Sequence, residues 1–368
     1  MRRKSVLKQN LGRFGCLRYS LLGSILFPPP ETVRGIFFDV GSVIANRSAP
    51  ERPAFRITGR ASLCYDERWM RPCLSCGAIP TSSKLRTHMR NLSSVDDACF
   101  AAADLISQAD GLLITAGAGM GIDSGLPDFR GDHGFWKAYP ALGSLGMRFY
   151  EVANPKAFES MPEVAWGFYG HRLSLYRATA PHAGFGMLLA MARRMPNGGF
   201  VFTSNVDGHF QKAGFAEDRV AECHGSIHHL QCFSGCGHAA WSAEGFVPEV
   251  DEARCRLLSD LPRCAGCGGL GRPNILMFGD WGWDGERAAR QEARLNAWFM
   301  RLQRPVVIEL GAGTAIPTVR LFGEQAGCPL IRINPAEPQV GLHRDIAIPL
   351  GALDGITRIA ALLKTLNA

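Results

Sequence analysis

Apolar residues recur at helical spacing from Val95 to Gln108, behind Ser94 and the acidic pair Asp96 and Asp97. A Ser or Asp start ahead of that period predicts an amphipathic helix. Gly111-Leu112-Leu113-Ile114-Thr115-Ala116 then reads as a short buried strand leading into a glycine-rich segment. Residues 200–203, 306–310 and 330–334 are further short apolar runs, each ending at a polar or Gly-rich turn. Such strands alternating with helical stretches predict an α/β fold: a doubly wound, parallel, Rossmann-like sheet with ligands at the carboxyl ends of its strands. Residues 228–272 break the pattern, being rich in Cys, Gly and His with little continuous apolar sequence. They read as a small inserted module. The expected division is therefore a body of 91–227 and 273–368 carrying an insertion at 228–272.

Residues 1–90 differ from the rest, with Pro and Gly interruptions and no sustained period of 2 or 3.6. They read as a poorly ordered basic extension, or as sequence upstream of a start near Met89. An Arg-rich targeting peptide is conceivable there, but no amphipathic repeat supports it. Phe37-Phe38-Asp39-Val40-Gly41-Ser42 resembles a phosphatase nucleophile loop without its second Asp, and Cys73 and Cys76 form a lone C-x-x-C. Chance is the better reading of both.

The net charge of +7 changes meaning once it is located. Residues 1–90 hold 16 Lys+Arg against 5 Asp+Glu, whereas the remaining 278 hold 24 against 28, a net of −4. The body has no basic surplus to steer a polyanion, which argues against nucleic-acid binding by it. No apolar run approaches the ~20 residues that span a bilayer, so no membrane role is expected. The chain has 12 cysteines, no evident secretory signal, and four Cys in two close pairs. That usage predicts metal ligation in a reducing, cytoplasmic setting.

The chemistry concentrates in a few segments. Ala116 opens Gly117-Ala118-Gly119-Met120-Gly121-Ile122-Asp123-Ser124-Gly125-Leu126-Pro127-Asp128-Phe129-Arg130. A glycine loop after a buried strand lets backbone amides approach a pyrophosphate. It is not the dehydrogenase fingerprint, which would place Gly where Ile122 stands. Cys232 and Cys236, then 27 residues, then Cys264 and Cys267 suit a closed, all-thiolate zinc site of structural type. Cys255 lies between the pairs as a substitute ligand, and His238 is a weaker one. His224 precedes Cys232 by eight residues, and histidine supplies a neutral base near physiological pH.

Taken together, these blocks resemble the sirtuin family over about residues 94–356. The first matches the signature GAGxSxxSGIPDFR, with Gly121 for the commoner Ser and Leu126 for Ile. Thr203-Ser204-Asn205-Val206-Asp207 resembles T-Q-N-[IV]-D, with Ser204 for Gln, and Glu222-Cys223-His224-Gly225-Ser226 resembles the block holding the catalytic histidine. Arg272-Pro273-Asn274-Ile275-Leu276-Met277-Phe278-Gly279-Asp280 resembles the segment that receives acyl-lysine.

The resemblance implies NAD-dependent removal of acetyl or related acyl groups from protein lysines, giving nicotinamide and O-acyl-ADP-ribose. ADP-ribosyl transfer or NAD hydrolysis on the same fold is the alternative, kept open by Ser204 and the altered Gly-Ala-Gly segment. It implies catalysis by His224, Asn205 and Asp207, although Asn205 and Asp207 also fit a plain Asx turn. It implies NAD contacts from Gly117, Ala118, Gly119, Asp128, Phe129, Arg130, Ser204, Asn205 and Asp207, from Gly311, Ala312 and Gly313 through backbone amides, and from Asn334 and Ala352. Met277, Phe278 and Gly279 would bind the acyl-lysine; Cys232, Cys236, Cys264 and Cys267 would hold zinc. Trp136 is either on a cofactor loop or a core aromatic. Sirtuins that favour succinyl or malonyl groups carry a Tyr and Arg pair; Tyr169 and Arg172 have that spacing, and a solvated helix face is the other reading. The oligomeric state has no signal in the sequence.

Overall fold

The computed structural model describes residues 94–127 and 131–366, with only the backbone of 131–134. The expectations for residues 1–90 and for Asp128, Phe129 and Arg130 lie outside them.

Helix α1 (Val95–Gln108) begins where predicted, its N-cap Ser94 accepting from the Asp97 amide at 3.1 Å. Strand β1 (Gly111–Ala116) is buried along its whole length. After it come α2 (Gly131–Ala138), α3 (Pro162–Ala178), α4 (Ala183–Arg194), β2 (Gly199–Thr203) and β3 (Val220–Glu222). The smaller part contributes β4 (Gly225–Cys232), β5 (Trp241–Ser242), β6 (Val250–Asp251), β7 (Arg256–Leu257) and β8 (Gly271–Ile275). The chain then returns through α5 (Glu286–Phe299), β9 (Pro305–Leu310), α6 (Thr318–Gln325), β10 (Leu330–Ile333), β11 (Ile346–Ile348) and α7 (Ala352–Leu366).

The main sheet has the order β11-β10-β9-β1-β2-β3, with every pairing parallel. Strands buried on both faces explain the continuous apolar runs. On one face Leu112, Ile114, Val201 and Ile308 pack with α1, α4 and α7; on the other Leu113, Phe200, Phe202 and Val307 pack with α5 and α6. The strand order reverses between β1 and β9, whose last residues Ala116 and Leu310 lie in register. That is the crevice where doubly wound sheets take ligands.

One ion pair sits inside the sheet. Arg332 of β10 pairs in register with Glu309 of β9, both about 1% exposed, and Arg332 also reaches Glu324 at 2.8 Å. Such a pair persists only because the guanidinium fork satisfies both carboxylates at once.

The second core differs from the sequence expectation. β5-β4-β8 form an antiparallel sheet and β6-β7 a two-stranded one, but the module does not bury its apolar faces alone. Phe135, Phe158, Trp166, Tyr169 and Leu173 share one cluster with Ile227, Leu230, Leu257 and Met277. The Trp166 indole donates to the Gly271 carbonyl at 3.0 Å, tying α3 to β8. Gly167 is required there, since a Cβ would lie 2.1 Å from the Cys255 carbonyl oxygen. Residues 135–178, assigned by sequence to the sheet body, thus share their core with a module running from Gly225 to Ile275. Short strands cannot exclude water by themselves, and the aromatic helices complete their core. Among the described residues no helix is long and apolar enough to cross a membrane.

Candidate active site

The glycine loops after β1 and β9 interlock at the switch point. A Cβ on Gly119 would lie 2.7 Å from the Gly311 Cα, and Gly311 has φ +57. The Gly117 amide donates to Leu310 and the Gly119 amide to Gly311, both at 3.0 Å. These two amides, expected to face a pyrophosphate, are thus spent on joining the two loops. What glycine supplies here is close approach of two backbones.

The β2 loop is stitched onto the same place. Thr203 Oγ1 donates to the Ala116 carbonyl at 2.9 Å, the Ser204 amide donates to the same carbonyl, and Asn205 Nδ2 donates to the Gly117 carbonyl at 2.9 Å. Asp207 is buried and accepts from the His209 amide at 2.9 Å, so the Asx turn is real. Burial pushes the Asp207 carboxyl above its ordinary range, against the pull of His209.

His224 links the two halves of the molecule. It follows β3, and its carbonyl accepts from the Leu276 amide at 3.0 Å, immediately before Met277-Phe278-Gly279. The Ile227 amide donates to the Val206 carbonyl at 3.0 Å, so the His224 and Asn205 loops are joined as well. The His224 Nε2 is shut off from solvent with no hydrogen-bond partner among the described residues, and desolvation pushes its pKa down to about 4. An orphaned, neutral ring nitrogen at a loop junction is an available proton acceptor.

Phe278 is placed by its amide, which donates to the Ala153 carbonyl at 2.9 Å, and by an edge contact with Phe149 at 5.9 Å. Gly279 has φ +65, and Asp280 closes the turn by pairing with Arg272 at 2.7 and 2.8 Å. The Arg272 and Asp280 side chains are 1% and 0% exposed.

The β9 and β10 loops hold residues that the sequence pattern did not reveal. Glu337 accepts from the Thr314 amide at 3.0 Å and the Thr314 hydroxyl at 2.6 Å, while Arg320 donates to the carbonyls of Ala312 and Glu337. Asn334 donates to the Ala312 carbonyl and accepts from the amides of Ala336 and Glu337. Of the three residues expected to offer amides to the cofactor, Gly311 spends its amide on the Ile333 carbonyl, and the adjoining Thr314 amide is taken by a carboxylate. Asn334 likewise braces its own loop pair. Ala352 is buried at the start of α7, where Asp123 Oδ2 accepts from the Leu353 amide at 2.9 Å. This brings the Gly351 turn to the first glycine loop. A cavity of about 1310 Å³ lined by Met191, Arg304 and Lys364 lies at the amino ends of the strands and touches none of these residues.

The four cysteines converge. The Sγ atoms of Cys232, Cys236, Cys264 and Cys267 all lie within 4.8 Å of one another, with Cys232–Cys267 and Cys236–Cys264 at 3.6 Å. Zn–S bonds of about 2.3 Å in a tetrahedron place sulfurs about 3.8 Å apart, so the set fits zinc. Cys255 is outside it, buried with φ +48. Tyr169 and Arg172 are 1% and 8% exposed on α3, which excludes the solvated helix face. Arg172 donates to the Tyr176 hydroxyl at 2.7 Å, and its guanidinium lies within 5.7 Å of the Phe168, Tyr169 and Tyr176 rings. Trp136 is partly buried, packs against that core and donates to the Met147 carbonyl at 2.7 Å.

Burial makes the histidines a stability lever. His182, His209, His224 and His229 all have pKa values pushed down, chiefly by desolvation. Each therefore takes up its proton at a lower pH in the fold than in the unfolded chain, so unfolding takes up protons as the pH falls toward 6.5 and below. Stability should therefore fall as pH drops from 7 to 5; Asp207, pushed up, opposes this in sign. His209 is 0% exposed and its shift is dominated by desolvation, so His209→Leu should flatten the decline. Thermal unfolding across that range checks this, and parallel curves for both proteins would refute it.

Comparison with known proteins agrees with the geometry. The Sir2 family model matches residues 117–294. The NAD-dependent protein deacylase of Aquifex aeolicus is 28% identical over 69% of this chain and 95% of its own length. That of Thermococcus kodakarensis is 30% identical over 63% of this chain and 83% of its own. A solved structure described as a Sir2 homolog–NAD complex superposes with a TM-score of 0.55 at 25% identity, over 73% of this chain and 94% of that one.

Proposed function

Because this chain belongs to the Sir2 family, we infer that it is an NAD-dependent protein deacylase that removes acyl groups from lysine side chains. The observation that carries the reading is His224. Its orphaned ring nitrogen stands where the Asn205 loop meets the Met277-Phe278-Gly279 segment.

NAD, when bound, supplies a ribose carbon from which nicotinamide leaves and a ribose hydroxyl that accepts the acyl group. We assign its site to the loops after β1, β2, β9, β10 and β11. Ala118, Ser204, Asn205 and Asp207 come from the first two, and Gly313 and Ala352 line the adenosine side. Gly117, Gly119, Gly311, Ala312 and Asn334 shape the loops. His224 Nε2 takes the proton from the ribose hydroxyl, which its neutral form permits. Met277, Phe278 and Gly279 form the wall along the acyl-lysine, held in shape by Asp280 and Arg272. The zinc assigned to Cys232, Cys236, Cys264 and Cys267 is structural, because four thiolates leave no open position.

The buried Arg172 supports a second reading at the level of acyl group. A guanidinium enclosed by Phe168, Tyr169 and Tyr176 suits an acyl chain that ends in a carboxylate. Nicotinamide release decides both questions. It should depend on an acylated peptide and be absent with the unmodified one. Release without any peptide would instead mean NAD hydrolysis. A higher kcat/KM for succinyl-lysine than for acetyl-lysine, reversed in Arg172→Gln, is the result expected for the acidic acyl group.

A further inference from the structure

Trp281 is 99% exposed, and it stands three residues beyond Phe278. Tryptophan is highly buried on average, which sets a bare indole apart from the rest of the surface. The loop that carries it is held rigidly. Asp280, just before it, is locked by the buried Arg272 pair and also accepts from the amides of Met277 and Gly282 at 3.3 and 3.2 Å. Gly282, just after it, has its carbonyl held by Gln231 Nε2 at 2.8 Å. Gln231 Oε1 and Asn274 Nδ2 fix the amide and carbonyl of Asp284 at 3.1 and 2.8 Å. The backbone on both sides of Trp281 is thus anchored, while the indole makes no hydrogen bond or ring contact among the described residues.

We propose that Trp281 is a docking platform for the substrate polypeptide beside its acyl-lysine, with its indole face taking a cationic side chain. The proposal rests on the deacylase reading. Three residues reach at most about 11 Å, so an extended peptide with its acyl-lysine at Phe278 brings a residue two or three positions away over the indole. The indole itself selects a cation, since it is the strongest of the aromatic faces for an ammonium or guanidinium, and residues 91–368, at a net of −4, hold no basic surplus to repel one. Because the loop is already ordered, docking loses little conformational freedom.

Fluorescence anisotropy with a labelled acetyl-lysine peptide carrying arginines two and three positions away tests this. Wild-type protein should bind it more tightly than a version with those arginines replaced by glutamate. Trp281→Ala should weaken binding of the arginine peptide about five- to tenfold, Trp281→Phe should restore part of the loss, and the glutamate peptide should be indifferent to both. Turnover of a single blocked acetyl-lysine, with no neighbours, should be unchanged in Trp281→Ala, as should the KM for NAD. Equal binding of the two peptides by wild-type protein, or equal losses for both in Trp281→Ala, overturns the proposal. Tryptophan-dependent binding without nicotinamide release would instead sink the deacylase reading and leave the platform standing.

Discussion

Replacing His224 with Ala lowers deacylation by at least ~100-fold, the scale of losing a general base, while the protein stays folded and keeps its zinc. The geometry makes that separation possible. The Nε2 atom has no hydrogen-bond partner among the described residues, so truncation orphans none of them there, and the carbonyl that receives the Leu276 amide remains. Nicotinamide release from an acetylated peptide, circular dichroism and metal content measured on one preparation separate the two effects. Near-normal turnover in the variant would remove His224 from the chemistry. The pH profile gives an independent check. Desolvation holds His224 near pKa 4, so in the free enzyme it is already neutral at pH 6. The acid limb of kcat/KM should not centre near 6.5 on its account, as an exposed histidine's would.

Replacing Cys264 or Cys267 with Ser should release about one zinc per chain and disorder the small module. Four sulfurs within 4.8 Å leave no spare ligand, and the short strands β5, β6 and β7 cannot hold the loops without metal. Activity should fall too, although no cysteine acts on substrate. β4 and β8 lead directly from His224 and into Met277, so unravelling them misplaces both. Cys255→Ser should keep its zinc, because Cys255 lies outside the sulfur cluster. Its expected defect is stability alone, from placing a hydroxyl in the apolar core beside Gly167. Zinc analysis of purified variants decides the matter. Zinc lost from Cys255→Ser but kept in Cys236→Ser would mean that the fourth ligand is wrongly assigned.

What the linear chain determined by itself is whatever repeats locally or sits at close spacing. The helix over 95–108 and the strands at β1, β2, β9 and β10 were legible because burial on both faces demands unbroken apolar runs, and Ser94 marks a helix start by its own hydrogen bond. Two tight cysteine pairs announced the four-sulfur cluster because ligand geometry requires short loops. Only the tertiary structure decided the rest. It showed that residues 135–178 complete the core of the small module, that Gly117 and Gly119 serve loop packing, and that Glu337 takes the Thr314 amide. It also showed that Trp281 is presented bare on an anchored loop, and that His224 Nε2 is buried without a partner. Each of these depends on which groups from distant segments meet and which are left unmet, and a contact such as Arg272 with Asp280 or Glu309 with Arg332 leaves no periodic trace along the chain. Local spacing encodes the elements, while desolvation and partner choice are properties of the packed whole.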